Sequence, residues 1–268
     1  MAANNSTKAL YLEKIRPYSE AVKNMLKGEE AMRAGIGANP EDAPAKRLQL
    51  AEAMLNLASL YIVMNGVSVQ MLKSRDEEAL NDARKSLYKA MICLEETVTS
   101  FTDVPVADYA AQLDSIAFLS AQKRCDLVRK MGLAIQLLEE AYGENTKWKW
   151  SFVELEGRHA TIAKNLLDLR TAVASSDPRA ADYEPTIEHL GLIKKLLNQA
   201  ADRYREKYEL STSNLNDFLQ AIRYLGALRH VHIALEERFE AEEVKKKYDV
   251  WDAMIKTAQK KAKEEAAS

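Results

Sequence analysis

The chain has 268 residues, 47% hydrophobic and 29% charged, with a formal net charge of −2. That length fits one large domain or two small ones, and the apolar share is enough for a core. A near-neutral charge excludes the basic face that nucleic-acid binding needs. The one cationic run, Lys245, Lys246 and Lys247, follows Glu240, Glu242 and Glu243 and reads as a solvated, self-paired helix face.

Only 9 Gly and 6 Pro interrupt the chain, and most of them fall between long amphipathic stretches. Apolar residues recur at the i, i+3, i+4, i+7 spacing of a helix in stretch after stretch. The expectation is an all-α, elongated bundle of about seven long helices with an extended C-terminal helix. In chain order, a first helix covers about Thr7–Ala34, with Pro17 kinking it or marking its start. Gly35 to Pro40 is a loop, and a second helix begins at Pro40 or Pro44 and runs to about Lys73. Ser74-Arg75-Asp76-Glu77 has the form of a capping box for a third, to about Phe101. Asp103-Val104-Pro105 opens a fourth that ends at Tyr142, with Gly143 in the C′ position. Thr146 caps a fifth to about Ser175, and Pro178 and Pro185 introduce a sixth, to about Leu210.

From the capping cluster Ser211-Thr212-Ser213-Asn214 onward there is no Pro and the single Gly is Gly226. One helix of about 50 residues, near 75 Å long, is the expectation. A compact chain of this length would be only about 48 Å across, so such a helix implies elongation. Its apolar seam runs Leu215, Phe218, Ile222, Leu225, Leu228, Val231, Leu235, Phe239, lapses, then resumes at Tyr248, Trp251, Ile255 and Ala258. The organisation expected is an N-terminal helix over 1–36, a central long-helix bundle over 40–210, and the long C-terminal helix over 211–268, packing on the bundle and projecting.

The uncharged stretch Ala53–Leu72 is long enough for a bilayer. Asn56, Ser59, Asn65, Ser68 and Gln70 recur through it, however, and a helix apolar nearly all round is also what the centre of a bundle needs. A buried central helix is the reading, with no membrane insertion. Cys93 and Cys125 lie at different heights of a helical hairpin and read as two free thiols. The N-terminal residues lack the apolar run of a signal peptide. The chain is expected in the cytoplasm, or in the periplasm as a mature secreted form.

Chemistry-bearing patterns are sparse. Glu156-x-x-His159 is half of a ferritin-like di-iron pattern, but no second Glu-x-x-His pair exists. His230 and His232 are i,i+2 and point to different helix faces. No phosphate loop, CxxC pair, HExxH or nucleophile elbow occurs. The expectation is therefore no catalytic residue, no cofactor and no metal site, and hence no enzyme. In Lys147-Trp148-Lys149-Trp150-Ser151-Phe152 a helix puts Trp148 and Phe152 on one face and Trp150 roughly opposite. Trp150 and Trp251, the latter beyond the lapse in the last seam, are the candidate protein-interface anchors.

Taken together, Asp103-Val104-Pro105, the run Tyr142 to Phe152 and the run Ala201 to Leu210 resemble the spirochaete flagellar coiling protein A family. That resemblance implies an elongated, all-helical, non-enzymatic sheath component of the periplasmic flagellum that helps coil the filament for motility. Its partners would be flagellar core and sheath proteins, and it carries over no catalytic residue. The alternative function is a cytoplasmic helical adaptor that binds peptide or protein partners in a concave groove.

Overall fold

The computed structural model describes residues 2–37, 39, 41–144 and 146–266, of which no side chain is described for 2–6 or 261–266. The chain is all-α, 84% helical, with no strand among the described residues. Among the described residues ten α-helices are formed rather than about seven: α1 Ala2–Ile36, α2 Ala43–Leu72, α3 Glu77–Thr97, α4 Ala110–Ser115, α5 Ala121–Tyr142, α6 Lys149–Leu166, α7 Leu169–Ser175, α8 Tyr183–Lys207, α9 Leu215–Ala234 and α10 Arg238–Ala266. They fall into two compact units. Unit 1 is Met1–Thr97 with Arg129–Lys149, and unit 2 is Val98–Val128 with Trp150–Ser268, so the division passes through α5.

In unit 1, α2 lies between α1 and α3 and packs against both. Leu50, Met54, Leu57 and Ala58 are fully buried along it. Two of the polar residues that argued against a membrane span are buried and bonded at its end. Asn65 Oδ1 accepts the Asp76 backbone N–H at 2.9 Å, and Ser68 Oγ donates to Ser74 O at 2.9 Å. They hold the turn in which Lys73 takes a left-handed φ of 56°. The cap of α3 is therefore Asp76, whose Oδ1 accepts from Ala79 N at 3.0 Å, and not Ser74. Burial of α2 is one-sided, because Val63 and Val69 remain exposed. α1 continues past Pro17, which is exposed inside it rather than at its start, and reaches Ile36. Pro40, one of the two expected starts of α2, lies outside the described residues, and Pro44 occupies the first turn. Glu29 ties α1 to α3 through Lys89 at 2.8 Å and is also bonded by Arg33 at 3.0 Å. These cations hold its carboxyl below the usual range against the opposing cost of burial, which is the largest single influence.

In unit 2, α6, α8, α9 and α10 pack together. Gly157 on α6 is where three helices come closest. A Cβ there would stand 2.7 Å from Tyr204 Cε2 and closer still to Tyr224 Oη, so only glycine lets α6 meet the two tyrosines of α8 and α9. The expected 50-residue helix is broken at Leu235–Glu237, where Glu236 has φ 60° and Glu237 N–H bonds His232 O at 2.9 Å. α10 thus folds back along α9. Trp251 comes to rest 6.0 Å from the Phe218 ring, and Phe239, expected in the seam, turns outward and is 75% exposed. α8 likewise gives way to a π-helical turn at Tyr208–Thr212, closed by Lys207 and Thr212 on the buried Asp217 at 2.8 and 2.7 Å.

The packed face of α2 yields a stability test. Met54→Ala and Leu57→Ala should each cost about 2–5 kcal/mol in urea denaturation, because a cavity opens in a fully buried site. Leu60 and Ile62 are half-buried, and their alanine variants should cost clearly less. Equal losses at Leu60 and Met54 would place the packed face of α2 elsewhere.

Candidate functional site

The two tryptophans proposed as interface anchors take different positions. Trp251 is only 3% exposed, held between Phe218 and the cationic groups of Arg205 and Lys247, each 4.9 Å from the ring centroid. It is a core residue, because the turn after α9 returns α10 to the bundle instead of letting it project. Trp150 is half-buried in the first turn of α6. Trp148 precedes that helix instead of sharing its face with Phe152, and its ring lies 4.0 Å from the Arg84 guanidinium. Glu156 pairs with Arg203 at 3.0 Å, while His159 bonds Val128 O at 2.9 Å, so that pattern divides between two structural tasks. His230 donates to Asp103 and His232 to Glu237, on separate faces as expected. Cys93 and Cys125 are both buried, and no disulfide joins them. Among the described residues, no three His, Cys, Asp or Glu converge as metal ligands do.

What the sequence reading missed is a set of buried polar side chains in unit 2, each bonded to backbone carbonyls at places where helices stop. Arg124 donates from Nε to Leu119 O at 2.9 Å, from Nη1 to Leu166 O at 2.7 Å and from Nη2 to Ile116 O at 2.7 Å. These are the break between α4 and α5 and the end of α6. His189 donates to Ala163 O at 2.9 Å. Asn165 donates to Thr99 O and Phe101 O, and Lys164 reaches Val104 O at 3.4 Å and Asn165 Oδ1 at 2.9 Å. Burial brings the Lys164 ammonium down to about 8 and the Tyr109 hydroxyl up to about 12. The loop from Thr99 to Pro105 is thereby clamped onto α6, and Asp103 sits so close to Gly226 that a Cβ there would lie 2.6 Å from Oδ2. The sequence signal was present, in a Lys-Asn pair set between apolar residues of α6.

The stop at Leu166 also sets α7 at an angle that the unbroken helix could not take, with Asp168 as its N-cap. α7, α8 and the turn after α9 then enclose a groove of about 300 Å³. Leu190 and Leu235 line it, Val173 and Ile187 stand half-exposed at its edge, and Gly191 leaves it unobstructed, with nothing within 4 Å of where a Cβ would be. At one end Lys194 and His232 both bond Glu237, whose carboxyl they hold below the usual range against its partial burial. A second cleft of about 260 Å³ borders Arg124, Ser120 and Asp168, polar groups already engaged as caps.

A model of the TP0443 family matches residues 7–259. The chain belongs to the TP0443 family. No curated protein and no solved structure matches it. This membership overturns the resemblance to the flagellar coiling protein A family, which no relative supports. The segments that carried the resemblance do local structural work in this TP0443-family chain. Asp103-Val104-Pro105 is the clamped loop, Gly143 ends α5 with φ 74°, and Arg203 and Arg205 near the end of α8 form ion pairs. Such features are shared by many helical proteins and mark no family.

The buried histidines predict acid sensitivity with a definite sign. Burial lowers His159 and His189 from 6.5 to about 4, the carbonyl bonds opposing the shift only in part. Above pH 6.5 both are neutral folded or unfolded. Between pH 6.5 and 4 the unfolded chain takes up protons that the folded one refuses, so stability falls across that window, by up to about 3 kcal/mol per histidine. Urea denaturation at pH 7 and 4.5 should show the loss, and His159→Gln with His189→Gln should remove much of it. An unchanged slope in the double variant would assign the acid sensitivity to carboxylates.

Proposed function

We propose that this TP0443-family chain is a non-enzymatic protein-binding scaffold that takes an apolar segment of a partner protein into the groove between α7, α8 and the α9–α10 turn. The observation that carries the reading is the combination of an open apolar floor with a polar end whose charges are already paired. Ile187, Leu190 and Lys194 follow the i, i+3, i+7 row of α8, about 10 Å of surface. That suits two turns of an amphipathic helix laid against α8, with one or two apolar side chains entering beside Gly191. Lys194 and His232 are both engaged by Glu237, so what the groove offers a partner is chiefly shape and apolar surface. This reading follows the adaptor alternative drawn from the sequence, and the partners it implies are other proteins.

Gly191 provides the test, because a side chain there meets open space and fills the groove without disturbing the core. In selection from a library of displayed amphipathic helical peptides, the parent protein should enrich sequences with apolar residues at i, i+3 or i+4. Gly191→Trp should lose at least about tenfold in affinity for them, the effect of removing a central anchor site. Its far-UV circular dichroism and melting temperature should match the parent. Equal binding by the variant would remove the groove as the site.

A further inference from the structure

The outward face of α10 has a pattern that the monomer does not use. Phe239 is 75% exposed, Val250 58% and Met254 42%. At 100° per residue Phe239, Glu243, Lys246, Val250 and Met254 fall within a sector of about 80°. Trp251, Ile255 and Ala241, the residues buried against the bundle, lie on the opposite side. The spacing from Phe239 to Val250 is four, three, four, the rhythm of a helix–helix seam. Between its two apolar ends the strip carries one acid and one base, Glu243 and Lys246, joined across solvent at 2.6 Å.

We infer that this face of α10 pairs with the same face of a second copy of the chain, antiparallel, about a two-fold axis passing between Val244 and Lys245. That axis places Phe239 opposite Val250 of the second copy and Glu243 opposite Lys246 of the second copy, and each contact occurs twice. The charge order chooses both partner and direction. A parallel pair would set Glu243 against Glu243 and Lys246 against Lys246, whereas the antiparallel pair makes the strip complementary to itself, as a two-fold interface requires. The strip is short, so the contact belongs with interfaces below about 1,200 Å² and should dissociate on dilution. The strip shares no residue with the groove lining, and neither proposal depends on the other.

Sedimentation equilibrium of the full chain at concentrations up to about 0.5 mM tests this, since the expected affinity is weak. The parent should show a monomer–dimer equilibrium. Phe239→Ala should weaken it, as should Glu243→Lys and Lys246→Glu alone, by about tenfold each. An equimolar mixture of the two single reversals should associate again as a heterodimer, and the double reversal Glu243→Lys with Lys246→Glu should restore the homodimer. Circular dichroism should be alike for all of them, because every position changed faces solvent. A parent that remains monomeric throughout, single reversals without effect, or a mixture that fails to associate would each overturn the proposal.

Discussion

A helix that stops inside a core leaves its last carbonyls with neither a next turn nor water to bond, and each such group left bare costs about 1–3 kcal/mol. Unit 2 contains several of these stops, and its architecture rests on how they are met. Arg124 is the central case. One guanidinium takes the carbonyls of Ile116 and Leu119, where the chain turns from α4 into α5, and that of Leu166, where α6 ends. The planar fork suits this task, because its donors diverge at fixed angles and remain charged even when burial lowers the affinity for the proton. Without that group three carbonyls and two helix breaks would lose their partner together.

The remaining buried polar groups follow the same logic with weaker donors. His189 serves Ala163, Asn165 serves Thr99 and Phe101, and Lys164 serves Val104. Because these bonds go to backbone rather than to carboxylates, burial outweighs what favours the charged form, which at Lys164 is the nearby Asp103 and at the histidines the carbonyl bonds. That is why both core histidines are neutral at ordinary pH and Lys164 holds its proton only loosely. The polar interior of unit 2 is therefore committed to shaping the chain.

The helical register was legible because it is local. Gly143 as a C′ residue, Asn214 as a cap accepting from Asn216 N–H at 3.0 Å, and Pro44 in a first turn all stand where the sequence placed them. The breaks were not legible, since neither Pro nor Gly marks Ile116–Ser120, Leu167–Asp168 or Leu235–Glu237. The break at Leu167–Asp168 is met by a bond from a distant residue, Arg124 to Leu166 O, and that at Leu235–Glu237 by a left-handed Glu236 that helical periodicity does not encode. The same blindness placed Trp251 outside the core, for its burial depends on a turn that helical periodicity cannot reveal. The groove draws on Val173, Leu190 and Leu235, which only the assembled helices bring together. Ser74 failed as a cap for a nearer reason, because Asp76 offers a carboxylate at the N-cap position itself.

The turn after α9 then joins two surface properties that arise from different physics. Its left-handed Glu236 and the bond from Glu237 N–H to His232 O reverse the chain within three residues. The reversal resets the helical phase, and that reset turns Phe239 to solvent while Trp251 turns inward. The Glu237 side chain meanwhile reaches the other way, joining Lys194 and His232 at the end of the groove. Had α9 and α10 been continuous, Phe239 would have stayed in the α9 seam, Trp251 would have lain far from Phe218, and the groove would have lacked the end that Leu235 and Glu237 provide. One local left-handed residue thus sets which side chains of α10 are sealed against the bundle and which face solvent.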